Sequence, residues 1–71
     1  MTFKKQLAQR LKYGREALGL TQSDLARRTK IHQGAISHFE SGRRSPNVQN
    51  LAKLAKALLI RTDYLLGLSP Y

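Results

Sequence analysis

The carboxylates and imidazoles of this sequence are the side chains that could serve acid–base or metal chemistry, and their spacing argues against both. The four acids are widely spaced and stand at predicted helix caps or beside basic residues: Glu16, Asp24, Glu40 and Asp63. His32 and His38 are six positions apart, so on a helix they point in different directions and do not form a metal-binding pair. The chain has no Gly-rich phosphate loop, and without cysteine it has no thiolate for zinc binding or catalysis. We therefore predict no enzymatic activity, no metal site and no cofactor.

A large excess of positive charge is the strongest compositional signal. The 71 residues include 13 Lys and Arg against 4 Asp and Glu, which gives a net charge of +9. That much charge on a chain long enough for one small domain favours a polyanion as partner. A basic, solvated surface without a ligand is the alternative explanation of the charge alone.

The stretch 21–42 reads as two short helices joined by a tight turn. Thr21 is a favoured N-cap, and Asp24 three residues later completes a capping box. The first of the two helices turns Leu25 inward, and the turn runs through residues 29–31. These local signals predict a helix-turn-helix arrangement for this part of the chain.

The second helix of this stretch begins near His32 or Gln33 and has an unusual exposed face. Ile36 and Phe39 lie three residues apart on its buried face, and Gly42 suits the left-handed conformation that ends a helix. The opposite face carries short polar groups instead of the Glu/Lys mixture of an ordinary solvated helix: Gln33, Gly34, Ser37 and His38. A solvated polar face remains the alternative to a binding face.

Three further helices complete the predicted fold. The first runs from Thr2 or Phe3 to Leu18 and encloses Gly14, and its predicted apolar stripe is Phe3, Leu7, Leu11 and Leu18. A fourth is capped by Asn47 and extends to about Leu58, with a stripe of Val48, Leu51, Leu54, Ala55 and Leu58. A short last helix holds Tyr64, Leu65 and Leu66, and residues 68–71 form a tail or the start of a linker. We predict one all-α domain over residues 1–71, with no membrane span or secretory signal and therefore a cytoplasmic location.

At this point the sequence resembles a known family, the helix-turn-helix domains of lambdoid phage repressors and Cro proteins and the wider XRE-type regulators. The matching motifs are L-x-L-T-Q-x-x-L-A over Leu18–Ala26 and I-x-x-x-x-I-S-x-x-E-x-G over Ile31–Gly42. Pro46 matches as well, as do L-x-x-L-A-x-x-L over Leu51–Leu58 and D-Y-L-L-G over Asp63–Gly67. The resemblance extends from Leu7 to Gly67 and implies a compact five-helix, lambda-repressor-like DNA-binding domain.

The resemblance also implies roles for individual residues. The positions that contact bases in the family correspond to Gln33, Gly34, Ser37 and His38, and a glutamine can pair with adenine through N6 and N7. The positions assigned to the DNA backbone are Gln22, His32, Arg43, Arg44 and Asn47. A structural ion pair is expected between Arg15 and Glu40, and a dimer contact at Tyr64, Leu65, Leu68 and Tyr71. For Arg27, Arg28 and Lys30, a general attraction to DNA and a merely solvated face stay open.

These expectations describe a sequence-specific regulator that binds a pseudo-palindromic DNA operator as a homodimer, most simply a repressor. The alternative is an antitoxin or protein-interaction module of the same fold that holds a co-encoded protein partner and regulates its own operon. The sequence departs from the family pattern at three positions. Lys30 and Leu59 stand where glycine is usual, and Gly34 stands on the exposed face where a side chain is usual.

Overall fold

The chain folds into five α-helices in the computed structural model, which describes residues 3–68. They are α1 (Phe3–Ala17), α2 (Gln22–Thr29), α3 (Gln33–Ser41), α4 (Val48–Leu58) and α5 (Thr62–Leu65). Over the described residues no strand is present, so the predicted all-α class is confirmed. Thr2, proposed as a possible start of α1, and residues 69–71 of the predicted tail lie outside the described residues.

A single core receives side chains from all five helices. α1 packs across α3 and α5, while α2 packs against α3 and α4. The largest fully buried side chains come from each helix in turn: Leu11, Leu25, Ile36, Leu54 and Leu65. Gly14 is closely packed in this core, since a Cβ there would overlap Cδ1 of Ile60. This core fixes α2 and α3 relative to α1, which is what positions the exposed face of α3.

Three residues predicted for the apolar stripes lie on the surface instead. Phe3 is 52% exposed, Leu18 42% and Val48 83%. Phe3 and Val48 are the first residues of α1 and α4, before either helix reaches its neighbours. Leu18 follows the end of α1 at Ala17, where the chain reverses through Gly19 at φ 71°, so it no longer follows the helical stripe. The stripe predictions were therefore wrong at the first residues of α1 and α4 and just beyond the end of α1, and right in the helix interiors and at Leu58, the last residue of α4.

The start of α2 and the turn after it are held by local hydrogen bonds. The Asp24 backbone N–H donates to the Thr21 hydroxyl at 3.0 Å, and the Thr21 N–H donates to the Asp24 carboxylate at 2.9 Å. This second bond holds the pKa of Asp24 below its usual value. At the other end, the buried Thr29 hydroxyl donates to the Leu25 carbonyl at 2.8 Å and accepts from the Ile31 N–H at 3.2 Å. The predicted capping box and tight turn are both present.

Lys30 adopts the left-handed conformation in this turn, with φ 59° and ψ 25°. A side chain is strained there, so replacing Lys30 with glycine is expected to raise the free energy of unfolding by about 0.5–1 kcal/mol. The same change at Leu59, which has φ 58° after α4, should act in the same direction. Urea denaturation midpoints measure the effect. The matched control is Arg28→Gly inside α2, which should instead lose roughly 1 kcal/mol. An unchanged or lowered midpoint for Lys30→Gly would show that the turn stores no strain.

Candidate nucleic-acid interface

The exposed face of α3 carries the polar side chains singled out in the sequence. Gln33 and Gly34 are exposed, while Ser37 and His38 are half-buried. His32 is the N-cap of α3, and its Nδ1 accepts the backbone N–H of Gly34 at 3.1 Å. A Cβ at position 34 would lie only 3.2 Å from that Nδ1, so glycine leaves room for the histidine cap. Gly34 therefore has a local structural role in addition to leaving the helix surface bare.

A buried ion pair holds the C-terminal part of α3 against α1. Arg15 donates from Nε to Glu40 Oε2 at 2.8 Å and from Nη2 to Oε1 at 2.9 Å, so the expected pair is formed with bidentate geometry. The two side chains are only 11% and 4% exposed. Hydrogen bonding to Glu40 raises the pKa of Arg15. Arg15 also donates to the Leu20 carbonyl at 2.7 Å, which ties the loop before α2 to the same cluster.

Gln22 joins this cluster from the first turn of α2. Its Nε2 donates to Glu40 Oε1 at 3.2 Å, and since a carboxylate only accepts, the glutamine amide must turn its nitrogen toward Glu40. One Nε2 hydrogen is used in this way, and among the described residues the second hydrogen and the amide oxygen have no hydrogen-bond partner. Gln22 is thus oriented by Glu40 and retains donor capacity for a ligand.

A lysine that the sequence analysis did not assign lies beside Gln22. A cleft of about 170 Å³ between α1, α2 and α3 is lined by Lys12, Gln22, Ser37, Glu40 and Ser41. Lys12 is exposed on α1 and comes next to the face of α3 only because α1 packs across α3. Lys12 lies three residues before Arg15, so the two residues are on the same side of α1. This spacing is the sequence signal that could have assigned Lys12 to the site.

Backbone hydrogen bonds hold the loop that follows α3 against the end of that helix. Gly42 at φ 80° ends α3, and the backbone N–H groups of Arg43 and Arg44 both donate to the His38 carbonyl. Both arginine side chains are exposed. Asn47 caps α4 by accepting the Asn50 N–H at 2.8 Å. Arg44 and Asn47 share a second cleft, of about 280 Å³, with the α3 residues Ala35 and Phe39.

Two clefts therefore border α3, and together they include Gln22, Ser37, Arg44 and Asn47 from the residues predicted to contact DNA. The cleft with Lys12 and Gln22 borders the Ser37 side of the helix, and the cleft with Arg44 and Asn47 borders the Ala35 side. On a helical projection the two sides are roughly opposite, with Gly34 and His38 between them. A row of polar groups flanked by cations on both sides matches a duplex, whose base edges lie between two phosphate backbones.

The predicted dimer contact is only partly available at the surface. Leu65 is 0% exposed in the core, so its assignment to a dimer interface was wrong. The reason is that a four-residue helix has one inward position to fill, and Leu65 fills it. Tyr64 is half-buried with the Arg10 guanidinium 5.2 Å from its ring centroid, and Leu68 is 76% exposed. Tyr71 lies outside the described residues.

Within residues 3–68 no group of three or more His, Cys, Asp or Glu side chains is placed to hold a metal ion. None of the helices over the same residues is long and apolar enough to cross a membrane.

The sequence matches a known family model and several curated proteins. The helix-turn-helix family model matches residues 11–65. The chain is 38% identical over 61 residues to the HTH-type transcriptional regulator ImmR of Bacillus subtilis (strain 168), and the alignment covers 86% of this chain and 48% of ImmR. The chain thus spans about half the length, or less, of the first curated relatives it matches.

Two solved structures share the arrangement of helices. The P22 c2 repressor in complex with synthetic operator 9T matches with a TM-score of 0.84 and 33% identity, covering 89% of this chain and 96% of the repressor chain. The restriction-modification controller protein C.AhdI from Aeromonas hydrophila matches with a TM-score of 0.81 and 34% identity, covering 86% of this chain and 92% of C.AhdI.

Proposed function

Since this chain belongs to the helix-turn-helix family, we propose that it is a sequence-specific DNA-binding transcriptional regulator that acts by occupying an operator. The family is one of DNA-binding regulators and not of enzymes. The observation that carries the proposal is the polar face of α3, which is held by the buried Arg15–Glu40 pair and flanked on both sides by clefts with basic residues. A rigid face of this kind can read bases without reorganising on binding. The P22 c2 repressor, which shares the fold, was solved on a synthetic operator.

In the proposed complex α3 lies in the major groove, the docking geometry described for this motif in general. Gln33, Ser37 and His38 reach base edges. Gly34 offers no side chain there, so it reads little and lets the helix backbone approach the bases. The polar face thus supplies sequence discrimination.

The flanking residues supply affinity in this proposal. On one side of α3 the backbone contacts come from Gln22, His32 and Lys12. On the other side they come from Arg43, Arg44 and Asn47. Contacts to phosphate depend on salt and carry little sequence information, so they position the recognition helix and set its register.

We further propose that two copies bind together on a pseudo-palindromic operator and repress by excluding polymerase. Two-fold symmetry then separates the recognition helices by about 34 Å, one turn of DNA. Without Leu65, the described residues that remain from the predicted two-fold contact are Leu68 and the half-buried Tyr64. The exposed Leu68 supports this use of the end of the chain.

Selection of bound sequences from a pool of random duplexes tests the proposal directly. We expect enrichment of an inverted repeat whose half-site centres are about 10 base pairs apart, since that spacing follows from two-fold symmetry and one helical turn. Enrichment of a single half-site would contradict the dimer while leaving sequence-specific binding intact. Recovery of no common sequence would contradict the proposed function itself.

Replacing Lys12 with alanine is expected to weaken binding to all DNA sequences to a similar extent. The slope of log K against log salt concentration should fall by about one, because one phosphate contact is removed. Titration of operator and random duplexes at several salt concentrations gives both quantities. The matched control is Lys56→Ala, which removes an equally exposed lysine from the distal half of α4 and should leave the slope unchanged. If both variants and the unmodified protein have the same salt slope, Lys12 does not contact DNA.

A further inference from the structure

A second basic surface lies at the C-terminal ends of α2 and α4. Packing of these two helices forms a cleft of about 440 Å³, and six residues line it: Arg28, Thr29, Lys30, Lys53, Lys56 and Ala57. All four cationic side chains are exposed. We name this surface the distal basic cleft.

The distal basic cleft has no internal counter-charge. In the part of the chain that the structure describes, none of its four cations forms an ion pair or a side-chain hydrogen bond. Three acids are engaged elsewhere: Glu40 by Arg15, Asp24 by Arg27 and Asp63 by Arg61. Asp24 borders a neighbouring cleft that includes Arg28, and no acid lines the distal basic cleft itself. No carboxylate in the lining therefore offsets the repulsion among its four cations.

Helix-end electrostatics account for only part of this cluster. Arg28 and Lys56 lie in the last turns of α2 and α4, where a positive charge is favoured by the helix dipole. Lys53 lies five residues before the end of α4, beyond the last turn in which that effect acts. Lys30 follows α2 in a strained left-handed conformation that a glycine would adopt more easily. Lys53 thus lies outside the reach of the helix dipole, and Lys30 occupies a backbone conformation that is unfavourable for a side chain.

The cleft is also separated from the surface assigned to DNA. Both helices begin at that surface, α2 at Gln22 and α4 beside Asn47. At a rise of about 1.5 Å per residue, Thr29 lies about 10 Å along α2 from Gln22. By the same measure Lys53 and Lys56 lie about 8 and 12 Å along α4 from its first residue. The cleft therefore lies about 8–12 Å, measured along these helices, from the N-terminal ends that we assign to DNA.

We propose that the distal basic cleft binds an acidic segment of a partner protein, so that DNA and protein are held at opposite ends of α2 and α4. Charge complementarity selects an anion, and the lining of the cleft selects a peptide over a second duplex. The Thr29 hydroxyl is already bonded within α2 and to Ile31, and Ala57 adds only a methyl group. Neither residue offers a free polar group between the cations, so the lining suits an apolar side chain flanked by carboxylates.

Two double variants that each remove two positive charges test the proposal. Lys53→Gln with Lys56→Gln alters the distal basic cleft, and Arg43→Gln with Arg44→Gln alters the DNA-facing loop. Each is titrated against a fluorescein-labelled peptide of alternating Glu and Leu and, separately, against a labelled duplex, with fluorescence anisotropy as the readout. Far-UV circular dichroism checks that both variants are folded, which is expected because all four side chains are exposed.

The expected result is a double dissociation. The Lys53/Lys56 variant loses about five- to tenfold in peptide affinity and stays within about twofold of the unmodified protein on DNA, and the Arg43/Arg44 variant does the reverse. If both variants weaken both ligands equally, the peptide responds only to net charge and the proposal is overturned. If the Lys53/Lys56 variant weakens the duplex more than the peptide, the cleft is a nucleic-acid surface and the proposal is equally overturned. If the protein does not bind DNA as proposed, only the duplex titrations are affected. The peptide titrations still test the distal basic cleft.

Discussion

Replacing Glu40 with alanine is expected to lower the free energy of unfolding by about 3–5 kcal/mol, because it leaves the guanidinium of Arg15 buried without its counter-ion. The Arg15 side chain is 11% exposed, and in the native protein both atoms that face Glu40 donate to that carboxylate. The Gln22 side chain loses its acceptor in the same variant and is no longer oriented by α3. A domain of this size has a total stability of only roughly 4–10 kcal/mol, so the variant should be close to unfolding at 25 °C.

Urea denaturation followed by circular dichroism measures this effect. Glu16→Ala is the matched control, since it removes an exposed acid from α1 and should change the free energy of unfolding by less than about 0.5 kcal/mol. Replacing both partners with apolar residues, as in Arg15→Met with Glu40→Leu, should cost less than Glu40→Ala alone, because no charge is left buried. A loss below about 1 kcal/mol for Glu40→Ala would mean that water reaches Arg15 freely and that the pair does not support α3.

Replacing Gln33 or His38 with alanine is expected to cost about 1–3 kcal/mol of binding free energy on the cognate operator, and much less on random DNA. The two residues lie on the face of α3 that we assign to bases, and neither is part of the core. Loss of a base contact removes discrimination without removing a phosphate contact, so the salt dependence of binding should hardly change.

Operator and random-duplex titrations at several salt concentrations separate this behaviour from that of the flanking loop. Arg43→Ala should weaken every sequence by a similar amount and lower the salt slope by about one. The opposite result would identify a different reading surface. If operator preference survives both Gln33→Ala and His38→Ala but is abolished by Arg43→Ala, the reading surface is the loop after α3, and it recognises minor-groove shape.

The features that sequence analysis predicted correctly are local ones. The capping box of Thr21 and Asp24, the left-handed residue at Gly42 and the Asn47 cap each depend on hydrogen bonds or dihedral angles within about four residues. Such interactions are determined by neighbours along the chain and are the same in any fold that contains the helix. The Arg15–Glu40 pair joins positions 25 apart, and only the family resemblance, not the local pattern, pointed to it.

The errors arise where an outcome depends on a neighbouring element. An apolar residue at a helix end has the same sequence signal whether or not another helix covers it, so Val48 was assigned to the core although it is 83% exposed. Leu65 was assigned to a dimer surface although the other helices enclose it completely. Hydrophobic periodicity identifies the side of a helix that is buried, and it does not identify how far along the helix the cover extends.

The sequence by itself determined the five helices, most of their caps and the polar face of the third helix, because these follow from short-range periodicity and turn chemistry. Only the tertiary structure decided that Lys12 stands beside Gln22, since α1 must first pack across α3. Packing of α2 against α4 likewise brings Lys30 together with Lys53 and Lys56. These pairs are ten or more positions apart in the sequence and meet only when the core sets the relative placement of the helices. The composition of both basic clefts is therefore a property of the packed core and not of any single segment.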